Sequence, residues 1–256
     1  MKRAKGTAKT VAVCGKGGVG KTLISAAIAT VLAEEEGLRV LAVDADPSSG
    51  LSSALGIRVK KTIDDIRNDL IEMAGGGLMG SREEAAAHLD YEVSDALEER
   101  GRLALLAIGR PEGEGCFCRV NGMLKEIIGA LADSFDYVVI DGEAGIEQIN
   151  RRVFSSITNL LLVSDLSKRG LYVAESISGV ADRAMNCMSV GLALNMVRDG
   201  GEISSLLLPE KIPLLGWIPY DDIVRDAGIQ EKAFIDVTVC PAYKAIKKIS
   251  SKIFSI

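Results

Sequence analysis

The sequence is poor in aromatic residues, has a single histidine and contains no long uninterrupted apolar run. Aromatic residues make up 4% of the 256 positions while hydrophobic residues make up 48%, so an aliphatic core is expected. No stretch approaches the ~18 consecutive apolar residues that would span a bilayer, which argues against an integral membrane protein. His88 lies in an alanine-rich, helix-like stretch and is interpreted as a surface residue, so no histidine-rich metal site is expected.

Net positive charge is also lacking, since acidic residues outnumber basic ones by 35 to 30 and the formal net charge is −5. Phosphate backbones are bound by clustered Lys and Arg, so this balance argues against a nucleic-acid partner. The segment 1–9 is basic and polar and lacks the apolar centre of a secretory signal. The five cysteines are odd in number and irregularly spaced, which favours free thiols over a disulfide framework. A cytoplasmic protein is therefore expected.

A glycine-rich loop is the most informative feature of the sequence. Residues 14–23 read Cys-Gly-Lys-Gly-Gly-Val-Gly-Lys-Thr-Leu and match the phosphate-binding pattern G-x-x-x-x-G-K-[ST]. An apolar, β-branched run precedes the loop and a helix-forming run follows it, as this motif requires. The sequence therefore predicts a nucleoside triphosphate site with Mg²⁺ on the hydroxyl of Thr22. The predicted nucleotide contacts from this loop are Gly15, Lys16, Gly17, Gly18, Val19, Gly20, Lys21, Thr22 and Leu23.

The loop carries a second lysine, Lys16, that the general pattern does not require. The string Lys-Gly-Gly-Val-Gly-Lys-Thr resembles the deviant Walker A motif of the MinD, ParA and nitrogenase iron protein group of ATPases. In that group the first lysine reaches the phosphates of a partner chain, so the resemblance implies an ATP-dependent homodimer. It also implies catalytic roles for Lys16 and Lys21. A simpler alternative is that Lys16 contacts only its own nucleotide or solvent.

Short apolar runs alternate with helical patterns along the chain, which predicts a doubly wound, mainly parallel α/β sheet with helices on both faces. Helices are expected to begin near Gly122, Glu147, Leu171 and Asp222. The chain is interpreted as a single P-loop ATPase domain over 1–256. Within it, 51–102 is an insertion-like segment without a recognisable motif, and 241–256 is a C-terminal helix. The predicted strands are 10–14, 39–43, 103–108, 137–140, 159–163, 190–194 and 214–218.

The second predicted strand ends in Asp-Ala-Asp-Pro, with acidic residues at Asp44 and Asp46. A carboxylate here can reach Mg²⁺ or orient the attacking water. In the resembling ATPases the aspartate before the proline has this role, which implies a catalytic and magnesium-binding Asp46 and a supporting Asp44. The alternative is that both carboxylates only cap turns at Ser48 and Ser49.

A later strand ends in Asp-Gly-Glu-Ala-Gly, which has the form of a Walker B strand followed by a switch. Asp141 is the expected magnesium ligand, and Gly142 and Gly145 permit backbone movement. Glu143 either reports the nucleotide state to the metal site or caps the next helix.

Two further segments resemble the base-binding loops of the same ATPases. Asn195 and Arg198 stand at the end of one predicted strand, and Pro219, Tyr220 and Asp221 follow another. The resemblance implies contacts with adenine, although an Asn at a strand end is also a common turn residue.

A pair of cysteines, Cys116 and Cys118, lies in a glycine-rich, charged loop. Two thiolates separated by one residue can hold Ni²⁺, Zn²⁺ or Cu(I), but a closed tetrahedral site requires four ligands. A symmetric dimer would place two such loops together and complete a four-cysteine site. The other cysteines, Cys14, Cys187 and Cys240, lie in or beside apolar segments and are interpreted as core residues.

Together these features resemble the CooC-type nickel ATPases, including the AcsF members. The matching strings are the loop at 15–22, Gly-Arg-Pro-Glu-Gly-Glu-Gly-Cys-Phe-Cys at 109–118, and Glu-Ala-Gly-Ile-Glu-Gln-Ile-Asn-Arg-Arg at 143–152. The resemblance implies an ATP-hydrolysing metallochaperone that binds nickel, with zinc able to substitute. Its partner would be a nickel enzyme of the carbon monoxide dehydrogenase or acetyl-CoA synthase type.

Two alternatives stay open at this stage. An iron–sulfur carrier ATPase would also place thiolates at a dimer interface. A MinD-like positioning ATPase would act on a membrane through the tail, where Ala242, Ala245, Ile246, Ile249 and Ile253 share one face of a predicted basic helix. We expect this helix to pack on its own sheet instead, which argues against a membrane partner.

Overall fold

Strands and helices alternate along the chain in the computed structural model, which describes residues 8–35, 37–46, 48–75, 81–110, 118–142, 157–184, 189–230 and 232–255. The strands within these ranges are β1 (Lys9–Gly15), β2 (Val40–Asp44), β3 (Glu98–Arg100), β4 (Leu103–Ala107), β5 (Tyr137–Asp141), β6 (Asn159–Ser164), β7 (Ser189–Val197) and β8 (Leu214–Pro219). The helices there are α1 (Lys21–Glu34), α2 (Gly50–Leu55), α3 (Ile63–Gly75), α4 (Arg82–Asp95), α5 (Cys118–Ala132), α6 (Lys168–Ala184), α7 (Asp222–Ile229) and α8 (Pro241–Ile253).

The strands form one sheet in the order β3-β4-β2-β5-β1-β6-β7-β8. Every neighbouring pair is parallel except β3 with β4, which is antiparallel. The predicted doubly wound, mainly parallel sheet is therefore confirmed. Strand β1 lies between β5 and β6, so the glycine-rich loop leaves the centre of the sheet at its carboxyl edge, where ligands of such sheets bind.

Alternate side chains of the central strand face two separate apolar layers, because successive residues of a strand point to opposite faces. Val11 and Val13 pack with the buried residues of α1, α2 and α8. Ala12 and Cys14 pack with those of α3, α4, α5 and α6 on the other face. The helices therefore cover both faces, and the aliphatic core expected from the composition is present on each.

The segment 51–102 contributes to this core, although the sequence offered no motif for it. Ile66 and Leu70 of α3 and Leu89 of α4 are fully buried beneath the sheet. Strand β3, which was not predicted, is three residues long and reads Glu-Glu-Arg, so no apolar alternation marked it. His88 is exposed on α4, as expected.

The predicted strands are confirmed within a few residues of their ends. Helix α5 begins at Cys118 rather than near Gly122, and α6 begins at Lys168 rather than near Leu171. Helix α7 begins at Asp222, as predicted. The helix expected near Glu147 falls outside the described residues.

The C-terminal helix packs on the sheet, as expected. Ala242, Ile246, Ile249 and Ile253 of α8 are all at most 2% exposed and belong to the layer that also contains α1. The apolar face that motivated a membrane-binding tail is therefore buried in the protein's own core. Within the described ranges, no helix combines the length and the apolar character that crossing a bilayer requires.

Candidate nucleotide site and its surroundings

The glycine-rich loop connects the end of β1 to the start of α1. A Cβ at Gly15 would lie 2.1 Å from the carbonyl oxygen of Val163, so only glycine permits this approach to β6. Gly20 has a φ of +88°, and a Cβ there would lie 2.5 Å from Nδ2 of Asn195. The side chain of Asn195 in turn donates a hydrogen bond of 2.8 Å to the carbonyl of Val19. The loop is therefore fixed from two neighbouring strands, β6 and β7.

The first turn of α1 is arranged for an anion. Gly20, at the N-cap position, supplies no side-chain cap, and the first turn contains no acidic residue. The free N–H groups of this first turn and the positive end of the helix dipole therefore remain available to phosphate oxygens. Lys21 is only 8% exposed, and its Nζ donates to the carbonyl of Lys16 at 3.4 Å, so the ammonium folds back over the loop.

A buried carboxylate faces this turn from the end of β5. Oδ1 of Asp141 accepts a hydrogen bond of 3.0 Å from the hydroxyl of Ser25, whereas its buried Oδ2 has no hydrogen-bond partner among the described residues. Burial raises the pKa of Asp141 to about 6, although the hydroxyls of Thr22 and Ser25 and the charge of Lys21 oppose the rise. An unpartnered, desolvated carboxylate oxygen beside a threonine hydroxyl fits the oxygen-ligand preference of Mg²⁺. Ser25, one helical turn after Lys21, was missed from the sequence because serine is ordinary in a helix.

A second buried carboxylate, Asp44, ends β2 beside Asp141 and pairs with it in the sheet register. It accepts the backbone N–H groups of Leu51 at 3.0 Å and Asp46 at 3.3 Å. Burial first, and then the charge of Asp141, raise the pKa of Asp44 to about 7. The residue predicted only as a support is therefore the more buried of the two aspartates on this loop.

Asp46 lies at the turn after β2 and is partly exposed. Its Oδ1 accepts the N–H of Ser48 at 2.8 Å, so the turn-capping alternative is realised for one of its oxygens. Its charge also adds a small increase to the pKa of both Asp44 and Asp141. Its magnesium-binding and catalytic role stays a proposal.

The second loop lysine, Lys16, is held by an aspartate of the same chain. Its Nζ lies 2.8 Å from Oδ2 of Asp165, which follows β6 at the carboxyl edge. The hydroxyl of Ser167 donates to the other oxygen of Asp165 at 2.5 Å. A Cβ at Gly170 would lie 2.2 Å from that same oxygen, so a larger residue there would displace the side chain of Asp165. Neither Asp165 nor Ser167 was singled out from the sequence, because a polar strand end alone does not reveal its partner.

The predicted base-side residues surround the loop, but two of them have structural partners. Both ends of the Asn195 amide form hydrogen bonds within the protein. Its Nδ2 donates to the carbonyl of Val19, and its Oδ1 accepts the N–H of Met196, each at 2.8 Å. Both oxygens of Asp221 accept backbone N–H groups, from Ile223 at the start of α7 and from Ala242 at the start of α8. Through these bonds Asp221 caps α7 and connects it to α8. Helix capping therefore accounts for an aspartate at this position without a contact to adenine.

The remaining base-side residues form an exposed aromatic platform. The guanidinium of Arg198 lies 4.9 Å from the ring centre of Tyr220, within cation–π range. Pro219 ends β8 directly before this tyrosine. Met196 has a φ of +60° and is 46% exposed above Gly20, and no role was predicted for it. A planar base could stack here, so Arg198, Pro219 and Tyr220 are retained as proposed contacts.

The predicted switch and thiolate residues fall mostly outside the described part of the chain. Gly142 is described, and its N–H donates to the carbonyl of Val13 at 3.1 Å. Glu143, Gly145 and Cys116 lie outside it, as does the side chain of Cys118. Within the described ranges, no three His, Cys, Asp or Glu side chains form a group able to hold a metal ion.

The backbone nevertheless places Cys118 at a definite point of the fold. It is the first residue of α5, the helix that connects β4 to the parallel strand β5. Because β2 pairs in parallel with both β4 and β5, this helix starts at the carboxyl edge of the sheet, the edge at which the glycine-rich loop also lies. Cys14 and Cys240 are buried in the core, as predicted, and Cys187 lies outside the described residues.

Comparison with known proteins agrees with this geometry. Residues 10–234 match the family described as the CobQ/CobB/MinD/ParA nucleotide binding domain. The chain is 34% identical to the uncharacterized ATP-binding protein MJ0685 of Methanocaldococcus jannaschii, over 96% of this chain and 98% of that protein. It is 30% identical to the carbon monoxide dehydrogenase accessory protein CooC of Rhodospirillum rubrum, over 85% of this chain and 86% of that protein. The structure of the septum site-determining protein MinD of Pyrococcus horikoshii with Mg-ADP is similar with a TM-score of 0.67 and 23% identity, and the match covers 96% of each chain.

Proposed function

We propose that this chain, a P-loop ATPase that belongs to the CobQ/CobB/MinD/ParA nucleotide-binding family, is a metallochaperone whose ATP-bound dimer carries nickel through a Cys-x-Cys pair from each chain. The observation that carries the proposal is the position of Cys118 at the start of α5, on the same edge of the sheet as Lys16. The resemblance of the cysteine loop to CooC and the 30% identity with that protein support nickel as the cargo. The acceptor would be a nickel enzyme of the carbon monoxide dehydrogenase or acetyl-CoA synthase type.

The nucleotide half of the mechanism follows from the buried groups of the site. Lys21 and the free N–H groups of α1 would bind the phosphates of ATP, since both provide positive charge where water is largely excluded. Mg²⁺, held by Asp141 and Thr22, would neutralise charge on the phosphate oxygens. Asp46, the most exposed of the three carboxylates, would orient the water that attacks the terminal phosphate, and Asp44 accepts the backbone N–H of Asp46 and so holds its turn.

The dimer half depends on Lys16. Its ion pair with Asp165 joins side chains that are 30% and 33% exposed, and pairs of this kind are worth about 0–1 kcal/mol. A phosphate group of ATP bound to a second chain carries more charge than one carboxylate. It can therefore compete with Asp165 for the ammonium of Lys16. In our proposal, ATP recruits Lys16 from Asp165 across the dimer interface, and hydrolysis returns the lysine to its own chain.

Dimerisation would also complete the metal site. A closed tetrahedral site needs four ligands, and each chain offers two in the Cys-x-Cys pair. If ATP and metal each favour the same dimer, each must raise the affinity for the other by linkage.

The test measures oligomeric state by light scattering and bound metal by elemental analysis, with ATP and Ni²⁺ varied independently. The parent chain is expected to form a dimer that holds one nickel ion per two chains when both are present. A variant with Cys116→Ser and Cys118→Ser is expected to bind ATP normally and lose the nickel. The matched thiol control, Cys187→Ser, is expected to retain it.

Three outcomes would overturn the proposal. The parent chain could stay monomeric with both ligands present, or the double cysteine variant could keep its full metal content. Anaerobic reconstitution with iron and sulfide could also yield a brown cluster that the double variant lacks, which would assign the same cysteines to an iron–sulfur carrier. Zinc substitution for nickel is expected in vitro, because such a thiolate site does not select strongly between the two ions.

A further inference from the structure

A second concave site lies at the end of the sheet remote from the nucleotide loop. A cavity of about 680 Å³ opens between the last turn of α1 and the outer face of α8. Its wall includes Lys9, the first residue of β1, whereas the glycine-rich loop follows the last residue of that strand. A seven-residue strand spans about 20 Å, so the cavity and the nucleotide site are well separated.

The rim of this cavity is basic although the protein as a whole is acidic. Lys9, Lys244, Lys247 and Lys248 line it, and Glu35 is the one acidic residue among the described residues of its wall. All four lysines are exposed, and no described carboxylate forms a salt bridge with any of them. Four ammonium groups around one opening, in a chain with a net charge of −5, form a local site of attraction for an anion.

The floor of the cavity is apolar. Val31 and Leu32 from α1 are 3% and 4% exposed, and both belong to the aliphatic layer beneath α8. The rings of Tyr137 and Phe254 close another side, with centroids 4.9 Å apart in an edge-to-face arrangement. The cavity volume lies within the range of about 300–1,000 Å³ that is typical of small-molecule sites.

We propose that this cavity binds a small soluble organophosphate, in which a phosphate or diphosphate group contacts the lysine rim and an apolar body occupies the floor. Several ammonium groups around one opening match a multiply charged group better than a single carboxylate. The concave shape and the apolar floor require a ligand with a hydrophobic portion, so inorganic phosphate alone leaves the floor uncovered. A membrane surface fits less well, because the apolar face of α8 is buried in the core and cannot enter a bilayer.

The test is calorimetric titration with geranyl diphosphate, a soluble diphosphate with a ten-carbon apolar chain, on protein saturated with Mg-ADP to occupy the nucleotide loop. We expect the parent chain to bind and the variant Lys247→Glu, Lys248→Glu to bind at least about tenfold more weakly, because two attractions become repulsions. The control variant Arg58→Glu, Lys211→Glu makes the same change of net charge at exposed positions elsewhere, and its affinity should stay within about twofold of the parent. Inorganic pyrophosphate should bind at least about tenfold more weakly than geranyl diphosphate, since it buries no apolar surface.

The proposal is overturned if the parent shows no binding, if the control loses as much affinity as the rim variant, or if pyrophosphate binds as tightly as geranyl diphosphate. It is also overturned if the parent sediments with phosphatidylglycerol vesicles through these lysines while geranyl diphosphate gives no heat, because the rim would then serve a lipid surface. The Cys116→Ser, Cys118→Ser variant is expected to bind geranyl diphosphate like the parent. Failure of nickel binding and failure of this site are therefore separate results.

Discussion

The two ends of the central sheet concentrate charge in opposite ways. At the carboxyl edge, Lys21, Asp44 and Asp141 are between 0% and 8% exposed and are fixed by the backbone of β2, β5 and α1. At the amino edge, lysines such as Lys247 and Lys248 are exposed above an apolar floor and have no described ion-pair partner. One end holds charges where water is excluded, and the other holds them in solvent.

This difference indicates what each end can do. Buried charges interact strongly and have perturbed pKa values, as for Asp44 at about 7 and Asp141 at about 6, because no water compensates them. Such groups are matched to catalysis and to a divalent cation. Exposed lysines are screened by salt and contribute attraction and orientation, so the amino edge is suited to binding alone.

The largest effect is expected from removing the buried lysine. Lys21→Ala should lower ATP turnover by about 100-fold or more, since a preorganised positive group in a closed site is lost. Lys247→Ala removes the same charge from the opposite end and should change turnover by less than about twofold, because more than a Debye length separates it from the phosphates. Steady-state phosphate release measures both, and a similar loss in the two variants would contradict the contrast between the ends.

The next effect concerns stability and the face of α8 beneath the lysines. Ile246 is fully buried, so Ile246→Ala should lower the free energy of unfolding by about 2–4 kcal/mol through lost burial and a residual cavity. Lys247→Ala on the same helix should change it by less than about 0.5 kcal/mol. Urea denaturation followed by circular dichroism measures both values. A cost below about 1 kcal/mol for Ile246→Ala would show that this face is loosely packed and would reopen membrane binding by the tail.

The third effect has opposite signs for stability and activity. The folded-state pKa of Asp141 is raised to about 6, so the stability linked to its protonation is lost as the pH rises through that value. At pH 8 in EDTA, Asp141→Asn should therefore raise the free energy of unfolding by about 1–2 kcal/mol, and the gain should shrink at pH 5. ATP hydrolysis with Mg²⁺ should fall by about tenfold or more.

Asp133→Asn is the control for this prediction, because Asp133 is exposed in the turn between α5 and β5, at the end of that strand opposite to Asp141. It should change neither stability nor turnover by a measurable amount. Loss of stability in Asp141→Asn at pH 8 would mean that the carboxylate is already paired in the folded protein, and the magnesium interpretation would lose its main support.

The smallest effect is expected at the boundary between the buried site and solvent, where Lys16 meets Asp165. Asp165→Asn should tighten the proposed ATP-dependent dimerisation by no more than about fivefold, since a partly exposed ion pair is worth about 0–1 kcal/mol. Ser167→Ala keeps the charge of Asp165 and removes only the hydroxyl that orients this carboxylate. The effect of Ser167→Ala on dimerisation should therefore be smaller still. Analytical ultracentrifugation with ATP measures both, and weaker dimerisation in Asp165→Asn would show that Asp165 supports the dimer rather than restraining Lys16.

Part of the site could be read from the sequence because its information is local. The glycine-rich loop, Lys21 and Thr22 occupy fixed spacings that backbone geometry imposes within a single turn, and an apolar strand precedes them. The strand ends at Asp44 and Asp141 were also visible, since an acidic residue directly after an apolar run marks the edge of a parallel sheet.

Other parts could not be read because their partners are remote in the chain. The bond from Asn195 to Val19 joins residues 176 positions apart, and the ion pair of Lys16 with Asp165 spans 149 positions. No spacing rule connects such residues. The helix-capping bonds of Asp221 were likewise hidden, and the sequence alone favoured a base contact for it.

The sequence by itself determined the class of fold, the phosphate-binding loop and the aliphatic character of the core, because periodicity and local turn chemistry depend on neighbours in the chain. Only the tertiary structure decided which charges are buried, which lysine of the loop is restrained, and that the basic C-terminal helix covers the sheet. Burial and long-range pairing depend on which strands become neighbours, and desolvation then sets the strength of each charge. Lysines at the two ends of one strand therefore differ: Lys21 is buried beside the glycine-rich loop, whereas Lys247 and Lys248 are exposed to solvent.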